Sequence, residues 1–280
     1  MSSAPFDAVA QRYAERVAPR FQEPASDLVE LAQLQPGERV LDLGTGPGTA
    51  ALIAARRVLP DGALVGVDQS AAMLEIARTN ANDAGLAIEF LQADIETIDL
   101  ASGPFDVALS SFGLGRTDPA KSLPAIRKLL RPGGRLVLSQ WGPGSQAAGL
   151  FFDLLRKRRT NQPAPELEEM RSADLMARAW YSEFNTPQAI SDLLGRHGFR
   201  DVQAEMRTYK FQYENSNAYL EMSLSFPLAH AEFAALSPGS QRMFQHEFNA
   251  LTAPLRGPKR SVISEDTVLF AAAYLEPADL

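Results

Sequence analysis

The chain has 280 residues, enough for one large domain or one domain carrying a sizeable insertion. Hydrophobic residues at 45% and charged residues at 22% suit a globular fold, and a formal net charge of −7 argues against a general nucleic-acid binder. With no cysteine, disulfides, thiol nucleophiles and Cys-ligated metals are excluded.

The opening M-S-S-A-P-F-D lacks a charged region followed by an apolar run, so no signal peptide is expected. No stretch approaches the roughly 20 apolar residues that span a bilayer, and the expected location is the cytoplasm. Phe6, Val9, Ala10, Tyr13 and Val17 recur at helical spacing and predict an amphipathic helix, with a second over 25–34. Val40, Leu41 and Leu43 then form a short buried strand containing Asp42. Gly44, Thr45, Gly46 and Gly48 break it, and a helix follows over 49–59. A strand that passes through glycines into a helix brings bare backbone N–H groups to a ligand at the helix N-terminus. The carboxylate inside the strand favours a ligand with a cationic amine. A dinucleotide fingerprint would need its third glycine where Thr49 stands, which disfavours a nicotinamide oxidoreductase.

The pattern continues as alternating strands and helices. A second strand, 63–67, ends in Asp68, and Gln69 and Ser70 open a helix whose apolar face includes Met73 and Leu74. A carboxylate at that strand tip can accept both hydroxyls of a ribose. Strands over 88–91, 105–112 and 131–141 follow, with a helix over 118–130 between the last two. Helices are expected over 150–159, 166–180 and 186–199, strand character over 202–213 and 267–274, and helical patterns between those two strands around 217–225 and 239–251.

V-L-D-L-G-T-G-P-G resembles motif I of the class I S-adenosylmethionine-dependent methyltransferases, and F-D-V-A-L-S-S-F resembles their motif IV. L-L-R-P-G-G before a strand is another of their marked signatures. The span 112–134 looks most like the ubiquinone/menaquinone-type C-methyltransferases and their secondary-metabolite relatives, with Gly115-Arg116-Thr117 where those often carry Arg-Asn-Val. The resemblance implies an α/β fold: a Rossmann-like seven-stranded sheet with its last strand antiparallel, N-terminal helices and a helical cap. It divides the chain into an N-terminal helical lid (1–35), the cofactor-binding domain (36–213 and 261–280) and an inserted cap (214–260). It implies S-adenosylmethionine as cofactor, held by Asp42, Gly44, Thr45, Gly46, Asp68, Gln69 and Met73. By the same resemblance Asp94 and Ile95 meet the adenine, while Ser110 and Phe112 lie beside the methyl group. Tyr13, in an F-D-x-V-A-x-x-Y context, either touches the cofactor or packs as a core tyrosine.

Methyl transfer from a sulfonium asks mainly for alignment and, for some acceptors, a general base. Of the three histidines, His197 closes a helix, leaving His230 and His246 in the cap as candidate bases. No metal-ligand spacing occurs. The basic run Arg156–Arg159 reads as a solvated helix end, with an anionic acceptor or an acidic partner surface as the alternative. Many aromatics outside the cofactor core suggest an apolar or aromatic small-molecule acceptor, quinone-like or a secondary metabolite. Neither nucleic acid nor membrane is expected as a partner, and a homodimer is left open. The competing expectation is a protein that binds S-adenosylmethionine without transferring methyl, cyclase-like or partner-binding.

Overall fold

The structure, a computed structural model, describes residues 5–144, 146–258 and 261–277; the expected segment ends at residues 1, 260 and 280 lie outside them. The chain opens with α1 (Ala10–Arg16), flanked by 3-10 turns at Asp7–Val9 and Ala18–Phe21, then α2 (Gln22–Leu31). Strands and helices then alternate: β1 (Arg39–Leu43), α3 (Thr49–Val58), β2 (Ala63–Asp68), α4 (Ala71–Asp83), β3 (Glu89–Gln92) and β4 (Phe105–Ser111). They continue through α5 (Pro119–Leu129), β5 (Leu130–Trp141), α6 (Gln146–Arg158), α7 (Pro165–Phe184), α8 (Pro187–Arg196) and β6 (Arg200–Tyr213). The chain ends in α9 (Ser216–Ser223), α10 (Pro227–Ala234), α11 (Pro238–Leu251) and β7 (Val262–Tyr274).

Among the described residues the strands form one seven-stranded sheet in the order β3-β2-β1-β4-β5-β7-β6. The first five run parallel, and β7 inserts antiparallel between β5 and β6. The expected antiparallel last strand is present. The order reverses at β1, so the loops after β1 and β4 open a crevice at the carboxyl ends of the strands, where open α/β sheets bind ligands.

Both faces of the sheet are covered, as a parallel sheet of fully apolar strands requires. On one face Leu28 of α2, Ala51, Ala54 and Ala55 of α3 and Leu74 and Ala77 of α4 pack on Val40, Val107 and Val137. On the other, Leu123 and Ile126 of α5 and Ile190 and Leu194 of α8 pack on Leu41, Ala108 and Leu136. Helix starts follow side-chain caps: Ser70 accepts from Met73 N–H, Asp118 from Ala120 N–H and Thr186 from Ala189 N–H. Pro119 and Pro187 at the first helical positions need no partner for their missing N–H.

A third apolar cluster lies beyond the sheet. It joins Phe151 and Leu154 of α6, Tyr219 and Leu220 of α9, and Phe244 and Phe248 of α11 to Val17 and Phe21 of the N-terminal segment. The cap therefore draws α6 from before β6 as well as helices from the insertion between β6 and β7. Helix α2 belongs to the layer on the sheet, so the segment lying over the crevice is residues 5–21. Helix α10 was not expected, because its residues are apolar on nearly every side and leave no amphipathic period.

Candidate active site

The glycine loop owes its shape to three left-handed residues, Gly44 (φ 71°), Gly46 (φ 53°) and Gly48 (φ 88°). Gly44 and Thr45 N–H both donate to Val67 C=O at 2.9 Å, which ties the loop to β2. A Cβ on Gly44 would come within 3.1 Å of Gly113 Cα, and one on Gly113 within 2.7 Å of Leu43 C=O. The loops after β1 and β4 thus touch backbone to backbone. Ser110 reinforces that contact: its hydroxyl donates to Leu43 C=O and accepts from Leu114 N–H, both at 3.1 Å. Ser110 is fully buried and spends its hydroxyl on the backbone.

Two carboxylates stand at this strand edge. Asp42 is 1% exposed; its Oδ2 accepts from Thr45 Oγ1 at 2.7 Å, while its buried Oδ1 has no hydrogen-bond partner. Burial, reinforced by the nearby charge of Asp68, pushes its carboxyl up to about 6 despite the Thr45 hydroxyl. Asp68 accepts from Gly46 N–H and Ser70 N–H, one on each oxygen and both at 2.9 Å, and burial raises it too. Each oxygen of Asp68 keeps acceptor capacity for a further donor. Met73 is buried one turn into α4, and Gln69 is exposed, its carbonyl accepting from Gln92 Nε2. Ile95 is buried and approaches Gly44, whereas Asp94 is exposed and its Oδ1 is held by Glu96 N–H at 2.9 Å.

The N-terminal segment closes over these groups. Asp7 Oδ1 accepts from Ser70 Oγ at 2.5 Å and from Ala72 N–H at 3.3 Å, docking the segment on the N-terminus of α4 beside Asp68. The position suits a carboxylate, since first-turn N–H groups lack helical partners. Tyr13 follows, its ring edge-on to Phe6 (5.5 Å) and Phe226 (5.8 Å), and burial and the Asp68 charge keep its phenol protonated. Phe21 packs at 4.7 Å on Phe112, which packs at 4.5 Å on Trp141. Phe112 itself has φ 61°, a left-handed conformation uncommon outside glycine. Phe21 and Trp141 were not singled out as site residues from sequence: Phe21 lies in no local motif, Trp141 only ends the fifth-strand pattern, and the fold brings them together from 120 positions apart.

The two cap histidines part company. His246 is exposed on the outer face of α11 beside Arg158 and Met243, while Phe244 and Phe248 of the same helix turn inward and are fully buried. Two residues along a helix is a rotation of about 200°. The expectation of His246 as a base is therefore corrected: it faces away from the crevice. His230 is half-buried on α10, one turn after Phe226, and burial and the neighbouring Arg12 lower its pKa so that it stays neutral. Phe244 likewise packs the cap interior against Phe151 and Phe233. Of the basic run, Lys157 and Arg158 both pair with Glu247 of α11, a tie between cap helices.

The site fits S-adenosylmethionine on its own terms: an orphaned buried carboxylate oxygen, a left-handed glycine loop with open space over Gly46, and a strand-tip carboxylate with capacity to spare. The methyltransferase domain family matches residues 34–187. The demethylmenaquinone methyltransferase of Thermus thermophilus is 33% identical over 186 residues, 65% of this chain and 82% of that protein. A putative methyltransferase structure from Bacillus halodurans superposes with a TM-score of 0.58 at 16% identity, over 90% of this chain and 98% of the other. Phosphoethanolamine N-methyltransferase 2 of Haemonchus contortus, solved with phosphomonomethylethanolamine and S-adenosylhomocysteine, gives 0.52 at 18% identity. That alignment covers 91% of this chain and 52% of the other, so the chain spans about half its length. At such identities the two structures speak to the fold.

Proposed function

The chain belongs to the methyltransferase domain family and is a class I S-adenosylmethionine-dependent methyltransferase, and from that premise we propose that it methylates a small apolar or aromatic organic acceptor, quinone-like or a secondary metabolite. The observation that carries the acceptor reading is the run of rings Phe21, Phe112 and Trp141 at the mouth of the crevice. Flat apolar faces of this kind favour a flat apolar partner. The likeness to a demethylmenaquinone methyltransferase points the same way.

S-adenosylmethionine supplies an already activated methyl group. The chain's contribution is to bind, align and exclude water. In our reading Asp68 takes the ribose hydroxyls, and Asp42 with the loop from Gly44 to Gly46 receives the cationic amino-acid end. Thr45 acts through Asp42, whose orientation it fixes. Ile95 and Met73 give apolar walls, with Gln69 and Asp94 at the rim. Ser110 sets the spacing between the β1 and β4 loops, and Phe112 and Tyr13 cover the reacting end. Residues 5–21 and the helices of the cap form the lid that keeps the crevice dry. In our reading His230, half-buried and kept neutral by burial and by Arg12 of the N-terminal segment, serves as the base where the acceptor needs one.

The test is turnover of methyl-labelled S-adenosylmethionine against a panel of naphthols, quinols and polar amines. We expect S-adenosylhomocysteine to accumulate with the aromatic acceptors. Turnover confined to polar amines would overturn the acceptor reading.

A further inference from the structure

Among the described residues the large apolar side chains left exposed are Phe152, Leu175, Met176 and Met243, at 40%, 71%, 59% and 55%. All four stand on α6, α7 and α11. Single exposed apolar residues are ordinary on a surface, but a set confined to three adjoining helices marks a contact face. Helix α6 touches both of the others. Arg178 of α7 lies over the Phe152 ring at 5.8 Å, and Arg171 of α7 donates to Thr160 C=O just beyond α6. Towards α11, Lys157 and Arg158 pair with Glu247, and Phe151 packs on Phe244 and Phe248.

The two flanking helices carry opposite charge. Glu169, Ser172, Ala173 and Met176 recur at helical spacing on α7 and line a shallow groove with Glu168. On α11, Arg242, Met243 and Ala250 line a second groove with Arg158 of α6. Glu166 and Glu169 are exposed and have no ion-pair partner among the described residues. The same holds for Arg159, just past α6, and for Arg242. Unpaired carboxylates thus stand on α7, and unpaired guanidinium groups on α11 and at the end of α6.

We propose that this face binds a second copy of the chain, with α7 of each protomer laid on α11 of its partner about a two-fold axis near α6. A two-fold contact uses the same patch twice, so a patch acidic on one half and basic on the other complements itself. Glu169 of one protomer then meets the partner's Arg242. Met243 enters the partner's groove over Ser172 and Ala173, where small side chains leave room for an unbranched, adaptable one. Apolar contact supplies affinity, and the charges set orientation and rate. A foreign partner would have to reproduce this two-signed layout, whereas a second copy brings it. The inner sides of α6 and α11 pack the cap through Phe151, Phe244 and Phe248, so pairing on the outer sides braces the cap without entering the crevice.

The experiment is sedimentation velocity on the full chain over about 1–100 µM, for wild type, Glu169→Arg, Arg242→Glu and the double reversal. Wild type should sediment as a monomer–dimer equilibrium that weakens as salt rises. Each single reversal sets like charges across the contact and should raise the dimer dissociation constant at least about tenfold, and the double reversal should restore it. Both side chains are exposed and unpaired, so circular dichroism of the variants should match wild type. Leu175→Lys, which removes an apolar anchor, should also favour the monomer. A wild-type chain that stays monomeric through about 100 µM, alone or with a foreign protein held at this face, would overturn the proposal. So would assembly that grows beyond the dimer, dimerisation indifferent to the single reversals, or a double reversal as weak as either single one.

Discussion

Asp42 and Asp68 sit on adjacent strands, paired through the register that sets Asp42 beside Gly66, and burial raises both. The folded pKa of Asp42, about 6, lies above its ordinary value, so the folded protein binds that proton more tightly than the unfolded chain. Its contribution to stability is therefore present at low pH and is lost as pH rises from about 4 through 6. A cationic ligand reverses the preference, since it favours the ionised carboxylate. Affinity for S-adenosylmethionine should fall as pH drops through about 6, and Asp42→Asn should weaken binding and flatten that dependence. Titrations between about pH 5 and 8 check this, and an equally steep profile in the variant would assign the titration elsewhere. Asp68→Ala, losing a charge-assisted pair of contacts, should cost about 1.5–3 kcal/mol of cofactor affinity by calorimetry, with the fold intact by circular dichroism. Both carboxylates were legible in the sequence because strand, glycines and strand tip are contiguous. Phe21 and Trp141 were not, since only the closed fold brings them to one place.

Helix α11 shows how phase separates neighbouring residues. Phe244→Ala removes a ring packed at 0% exposure among Phe151, Phe233 and Phe248 and should destabilise by about 3–5 kcal/mol in denaturant unfolding. His246→Ala, on the outer face, should leave both stability and turnover unchanged. Phe226→Ala touches Tyr13 from the start of α10 and should alter acceptor turnover while cofactor affinity holds, as read by a split between the two assays. At the other side of the crevice, Asp7→Ala frees the lid from Ser70 and Ala72 and should raise the cofactor dissociation rate several-fold in stopped-flow. An unchanged rate would mean that Asp7 caps α4 without restraining the lid. Most helices and strands were readable from periodicity and caps. The exceptions, α10 and the recruitment of α6 into the cap, depend on apolar contacts between segments far apart in sequence.

At the scale of the molecule, a seven-stranded sheet delivers the β1, β2 and β4 loops to one crevice, and two distant parts of the chain close it. Residues 5–21 carry Asp7, Tyr13 and Phe21 across that crevice, and α6 with α9, α10 and α11 backs them. Cofactor binding should therefore order the loops and the lid together, while the outer faces of α7 and α11 remain as they are. Hydrogen–deuterium exchange with and without S-adenosylhomocysteine tests this most directly. The account predicts added protection in the segments around 7–21, 42–48, 68–73 and 94–95, and none in the exposed turns of α7 and α11. Protection absent from the glycine loop and from residues 7–21, or concentrated outside the crevice, would contradict it.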